Sequence, residues 1–169
     1  MSDLVPMPLL PAALLSSEPS TLQDRRAAQI AIDIGRGVAR LLHSHQMATV
    51  AEVSLANGRR ADMVAITNGG EIWIVEIKSS IEDFRADHKW PEYRAFCDRF
   101  FFAVAPAFPR EVLPADVGLI VADRYGGEVV RGAAVHRISG ARRKTLTLRL
   151  AHTAAMRLQA AVDPEAWRR

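Results

Sequence analysis

The sequence predicts an α/β fold: a mixed central sheet flanked by helices. Three observations carry this reading. A long helical period lies near the N-terminus, three short apolar runs follow with turn signals between them, and a helical stretch then leads into a further apolar run. That order joins an antiparallel three-strand meander to another strand through a helical crossover.

The chain has 169 residues, enough for one domain with its own core. An apolar fraction of 49% and a charged fraction of 24% exclude disorder of the whole chain. The net charge of +3 is a weak pointer to an anionic partner. The lone cysteine, Cys97, excludes an intrachain disulfide and suggests a reducing compartment. His43 and His45 are two apart on a helical segment, point to different faces, and lack zinc-ligand spacing. Pro6, Pro8 and Pro11 interrupt the apolar N-terminal residues, and no basic stretch precedes Leu9. Neither a secretory signal nor a membrane span is expected, which points to a soluble cytoplasmic protein without membrane contact.

Residues 1–19, rich in proline and small residues, read as a flexible arm, and residues 20–169 as a single domain. A helix is expected over 20–47. Ser20 with Gln23 and Thr21 with Asp24 both offer a cap, and Ile30, Ile34, Val38, Leu41 and Leu42 share one face. Gly35 and Gly37 each cost a helix interior about 1 kcal/mol, and suit close approach of another backbone. Strands are expected at 49–55, 61–67 and 71–79, joined at Asn57-Gly58 and Asn68-Gly69-Gly70. Ser79 with Glu82 opens a helical region to about Cys97, which Pro91 divides. Buried strands at 100–105 and 117–122, an edge strand at 128–135 and a final helix at 142–162 complete the order.

The chemistry concentrates in Arg59-Arg60-Ala61-Asp62 and Ile74-Val75-Glu76-Ile77-Lys78. Glu76 and Lys78, two apart on a strand, project from one face. A carboxylate in so apolar a run is costly unless it is paired, hydrated or holding a metal. Asp62, on the preceding strand, can lie beside Glu76. Two carboxylates can hold Mg2+ or Mn2+, which neutralises charge and lowers the pKa of a bound water. An adjacent ammonium can orient that water or offset developing negative charge. The bland alternative is a solvated strand end with an ordinary Glu–Lys pair. Glu52, across the Asn57-Gly58 turn from Asp62, is either a third metal ligand or a surface residue.

Asp62 followed by Glu76-Ile77-Lys78 resembles the motif of the PD-(D/E)XK nuclease superfamily, the restriction-endonuclease-like fold. Residues 20–105 match the order of its core, although Ala61 stands where a proline is common. Lys89-Trp90-Pro91-Glu92-Tyr93 is similar to the Gln-x-x-x-Tyr motif of the RecB-like branch, with lysine for glutamine and Pro91 in its middle. Lys89 is then a phosphate contact. Tyr93 and Trp90 either meet bases or pack in the core. Asp83 and Asp87 are expected on the solvated side, with Asp87 able to contact Lys89.

Longer runs are similar to the MmcB family of DNA-repair proteins, assigned to the same superfamily. They are Arg59-Arg60-Ala61-Asp62, Val75 to Ser80, Asp83 to Tyr93, Leu119 to Gly126 and Ala141-Arg142-Arg143-Lys144. The resemblance implies a role in DNA damage tolerance with DNA as partner. It implies a metal-dependent deoxyribonuclease hydrolysing DNA phosphodiester bonds, with Asp62, Glu76 and Lys78 catalytic and Mg2+ or Mn2+ as cofactor. It is compatible with a homodimer and with DNA-repair or replication proteins as partners. Arg59, Arg60, Arg142, Arg143 and Lys144, with Arg137 and Arg149, are basic candidates for the DNA backbone. No base-reading motif is present, so DNA shape or single strands are the expected target. The alternative is a non-catalytic DNA-binding or recruiting module on the same fold.

Overall fold

The computed structural model describes residues 21–167, so the arm expected at 1–19 lies outside the described residues. Helix α1 (Leu22–Ser44) opens on Thr21. Its hydroxyl accepts the Asp24 N–H (3.1 Å), while the Asp24 carboxylate accepts the Thr21 N–H (3.2 Å). This is one of the two caps offered by the sequence; Ser20, which offers the other, lies outside the described residues. Ile34, Val38 and Leu42 are buried along one side of α1. Gly37 is buried with them, and a Cβ there would overlap the carbonyl oxygens of Asp123 and Gly126. Glycine is required here by a backbone contact.

Six strands form one sheet in sequence order: β1 (Ala48–Ser54), β2 (Arg60–Ile66), β3 (Ile72–Lys78), β4 (Arg99–Val104), β5 (Gly118–Ala122) and β6 (Gly127–Arg131). β1, β2 and β3 are antiparallel neighbours, β3–β4 and β4–β5 are parallel, and β5–β6 is antiparallel. The expected mixed sheet with a meander and a crossover is therefore present. Gly58, at φ +80°, makes the β1–β2 turn.

The crossover is shorter in its helix than the sequence suggested. Helix α2 spans only Ile81–Ala86, capped by Ser80 rather than Ser79, with the Ser80 hydroxyl accepting the Asp83 N–H (3.1 Å). A separate 3-10 segment follows at Trp90–Phe96, with Pro91 in its first turn. Proline removes a donor and restricts the residue before it, so α geometry does not run through. β6 ends at Arg131, short of the expected 135, because the chain then leaves β5. The Ala133 carbonyl accepts Arg99 Nη1 (2.9 Å) and the His136 N–H donates to the Asp98 carbonyl (2.7 Å). Helix α3 (Gly140–Val162) starts on Ser139, two residues earlier than expected.

The sheet is covered on both faces, which is why β3 and β4 read as continuous apolar runs. Phe101, Ala103, Val75 and Ile120 pack with Ile34, Val38 and Leu42 of α1. Phe100, Phe102, Ile74 and Leu119 pack on the opposite side with Leu146 and Leu150 of α3. Among the described residues no helix is long and apolar enough to cross a membrane.

Candidate functional site

The β2–β3 ladder runs from Ile66↔Ile72 to Met63↔Val75. The next step of that register sets Asp62 against Glu76. There the side chains take over from the backbone. Glu76 Oε1 accepts the Asp62 N–H (3.1 Å), and Asp62 Oδ2 accepts the Ile77 N–H (2.8 Å). Each acid thus reaches across to the other's strand, and the two carboxylates share one gap in the sheet.

Their electrostatics are unfavourable. Burial raises Asp62 above the ordinary carboxylate range, against the pull of the Ile77 N–H and the Lys78 charge. Burial, then the neighbouring charge of Asp62, pushes Glu76 up to about 8. Glu76 is 4% exposed.

Lys78 is buried beside them, and its ammonium donates to Asp87 Oδ2 at 2.7 Å. Burial pulls the lysine pKa down. The Asp87 hydrogen bond and the charges of Asp83, Asp87 and Glu76 outweigh that and hold it above its ordinary value. Lys78 is therefore a cation at neutral pH. Asp87 also accepts the Lys89 N–H at 3.0 Å. The expectation of a solvated Asp87 is corrected: the turn after α2 folds it inward onto Lys78. Asp83 remains exposed and accepts the Ser79 N–H (3.1 Å). The sequence offers one clue to Asp87, an acid placed just after a short capped helix and a few residues before a proline.

Glu52 stands opposite Asp62 in the hairpin, between the pairs Ala51↔Met63 and Val53↔Ala61. Its backbone is left-handed, at φ +48°, and its exposed side chain lies 3.7 Å from Arg60. The twist carries it away from the ladder, so the structure unites Asp62 and Glu76 and leaves Glu52 outside. Among the described residues no three His, Cys, Asp or Glu side chains are grouped to hold a metal. A caged ion therefore does not fit, but a magnesium-like ion does not need one. It is commonly held by one or two carboxylates, its own waters and a substrate phosphate. Among the described residues no buried side-chain nitrogen or oxygen lacks a hydrogen-bond partner. The carboxylate oxygens of Asp62 and Glu76 that accept no hydrogen bond therefore keep at least slight contact with solvent.

The basic candidates divide. Arg59 is clamped by Glu92 (2.9 and 3.0 Å), while Arg60, Lys89 and Lys144 are exposed. Arg142 is exposed, with its guanidinium over the Phe96 ring and one nitrogen on the Ala95 carbonyl (2.7 Å). Arg143 instead holds Asp98 with both terminal nitrogens (2.6 and 2.7 Å) and serves the fold. Tyr93 is buried against Phe100, and its hydroxyl donates to the Arg60 carbonyl (3.0 Å). That removes it from any surface that could meet DNA. Trp90 likewise stacks on Phe100 and meets Phe102 edge-on. Arg149 donates to the Ser54 carbonyl (2.8 Å) at the β1 edge.

The family described as DNA repair protein MmcB-like matches residues 18–165. The chain belongs to this MmcB-like family. The match spans α1 to α3, so Asp62, Glu76, Lys78 and Asp87 all lie within MmcB-like sequence. The MmcB-like chain is also similar to a solved structure, the SPO1766 protein of unknown function from Silicibacter pomeroyi. The two are 47% identical over 81% of this chain and 94% of that one, with a TM-score of 0.79. No curated protein matches the chain.

Proposed function

We propose that this MmcB-like chain is a DNA-repair protein of restriction-endonuclease-like architecture that hydrolyses DNA phosphodiester bonds, with Mg2+ or Mn2+ held by Asp62 and Glu76. One observation carries the reading. Two buried carboxylates meet across a gap in the β2–β3 ladder, and each is driven toward its protonated form. An arrangement so unfavourable alone becomes favourable around a cation. When bound, the ion supplies Lewis acidity and a water of lowered pKa.

The chain's own groups supply the rest. Lys78 keeps its proton and projects from the same strand face as Glu76, where its charge opposes the negative charge of a phosphate. Asp87 fixes the direction of that ammonium. Arg60 and Lys89 are exposed and available to flanking phosphates, and Arg59 becomes available if Glu92 yields. Arg142 and Lys144 are exposed on α3 toward the Asp98 end of β3, away from the two carboxylates. A reducing, cytoplasmic setting agrees with the single buried thiol of Cys97.

The test is cleavage of single-stranded, nicked and branched DNA with Mg2+ or Mn2+. The wild type should cleave. Lys78→Ala should lose cleavage and keep DNA binding, and cleavage at the wild-type rate in that variant would overturn the assignment.

A second reading is a non-catalytic DNA-binding or recruiting module. The closed Lys78–Asp87 pair favours it, because a buried and paired ammonium is held away from a reacting water. Salt-dependent DNA binding without cleavage in either metal would select it.

A further inference from the structure

The turn between β5 and β6 plays no part in the site above, yet it is held with unusual firmness. Asp123 Oδ1 accepts the N–H groups of Tyr125 (2.8 Å) and Gly126 (3.2 Å). Arg40 of α1 donates through Nη1 to the carbonyls of Arg124 (2.9 Å) and Tyr125 (3.3 Å). Gly37 lets the α1 backbone lie directly against the turn. This bracing presents a side chain that the fold itself leaves uncovered. Tyr125 is 75% exposed, and the Arg124 guanidinium sits 5.5 Å from the centre of its ring. Next to them Pro106, Arg110, Val121, Glu128 and Val130 line an open groove of about 450 Å³.

The position of the groove matters. Lys78 pairs with Val104, and Val104 with Val121, across three parallel strands. Residues so paired lie in one row and on one face. Val121 in the groove is therefore two strand spacings, about 10 Å, from Lys78 along the same edge of the sheet.

We infer that this groove receives a single-stranded DNA segment beside the scissile phosphate, with one base stacked on Tyr125 and the flanking phosphates on Arg124 and Arg110. The location of the scissile phosphate rests on the nuclease reading above. A flat aromatic ring with adjacent cations is the chemistry that holds unpaired bases without reading their sequence. A duplex keeps its base faces stacked and offers none to Tyr125. Glu128 sharpens the assignment. Its carboxylate repels a phosphate and can accept an N–H from a base edge, thymine N3–H included, so the groove takes the base and the two arginines take the backbone.

The test is fluorescence anisotropy of the full chain with a labelled oligothymidylate and with a blunt two-strand duplex, in Ca2+ to hold cleavage back. Tyr125→Ala should weaken oligothymidylate binding about fivefold to a hundredfold, the loss of one stacked base, with little change for the duplex. Tyr125→Phe should bind like the wild type. Wild-type affinity in Tyr125→Ala, equal weakness in Tyr125→Phe, or no oligothymidylate binding by the wild type would each overturn the proposal; the first and last would free the turn for another partner, and the second would replace stacking by a hydroxyl contact. The two readings fail separately. Mg2+-dependent cleavage with no Tyr125 effect removes the groove alone, whereas a Tyr125 effect without cleavage removes the nuclease alone.

Discussion

Asp98, which precedes β4 and accepts a hydrogen bond from the first residue of β3, and Glu76, near the other end of β3, are similarly little exposed, at 2% and 4%, yet their carboxyls are driven in opposite directions. Burial pushes Asp98 up, but two bonds from Arg143 and the N–H groups of Ile72 (2.8 Å) and Ile138 (3.3 Å) more than reverse it. Glu76 has one backbone donor, a second carboxylate beside it, and a lysine whose own bond goes to Asp87. Surface exposure is alike at both ends, but Glu76 lies deeper in the protein, and the number of donors and the sign of the nearest neighbour differ as well. One end of the strand is electrostatically complete and ties β3, β4 and α3 together. The other holds an incomplete arrangement, of the kind proteins keep where function requires it.

The contrast can be broken most forcefully through activity. Asp62→Asn and Glu76→Gln should each lower Mg2+-dependent DNA cleavage by at least about a hundredfold, while thermal unfolding shows equal or higher stability. Either variant cleaving near the wild-type rate would erase the distinction between the two ends. Asp98→Ala should do the reverse. It takes the shared partner from Arg143, which keeps the Gly70 carbonyl, and from the N–H groups of Ile72 and Ile138, and should cost roughly 2–4 kcal/mol, a fall in Tm of roughly 10 °C for a chain of this size.

The pH dependence follows from the same difference. Glu76 moves from the usual value of 4.5 up to about 8. Across that interval the native state keeps a proton that the unfolded chain has lost. Its contribution is complete below about 4.5 and lost as pH rises through about 8. Asp62, also raised, acts in the same direction. Asp98, lowered, acts oppositely: its contribution is present above the usual carboxylate value and lost as the solution becomes more acid. Urea unfolding in EDTA should therefore show declining stability from about pH 5 to pH 8, and Glu76→Gln should flatten that decline. The smallest expected effect separates the arginines. Arg60→Ala should weaken DNA binding evenly across sequences and reduce the salt slope by about one, whereas Arg143→Ala should lower stability and leave the slope alone.

Local order was the legible part of this molecule. The helix cap at Thr21, the two glycine turns of the meander and the apolar period of β3 all act over a few residues, and the sequence states them directly. Asp62 and Glu76 were readable because one turn separates their strands. What escaped depends on contacts made across the fold. Arg143 reads as one more surface arginine until Asp98, 45 positions away, is folded against it. Tyr93 reads equally as a motif residue or as core until β4 supplies Phe100 beneath its ring. Glu52 falls opposite Asp62 as the hairpin spacing predicts, but its left-handed backbone, which redirects the side chain, has no local signature. Asp87 escaped because the end of α2 comes earlier than its pattern suggests, and the turn that follows points inward.

The central claim is that Asp62 and Glu76 hold a divalent cation, and calorimetric titration with Mn2+ tests it most directly. Near pH 7, in buffers of different ionisation enthalpy, binding should release about one proton per ion, because the metal displaces the proton that Glu76 holds up to about 8. Glu76→Gln and Asp62→Asn should abolish the binding heat. Unchanged Mn2+ binding in both variants, or none in the wild type, would contradict the account.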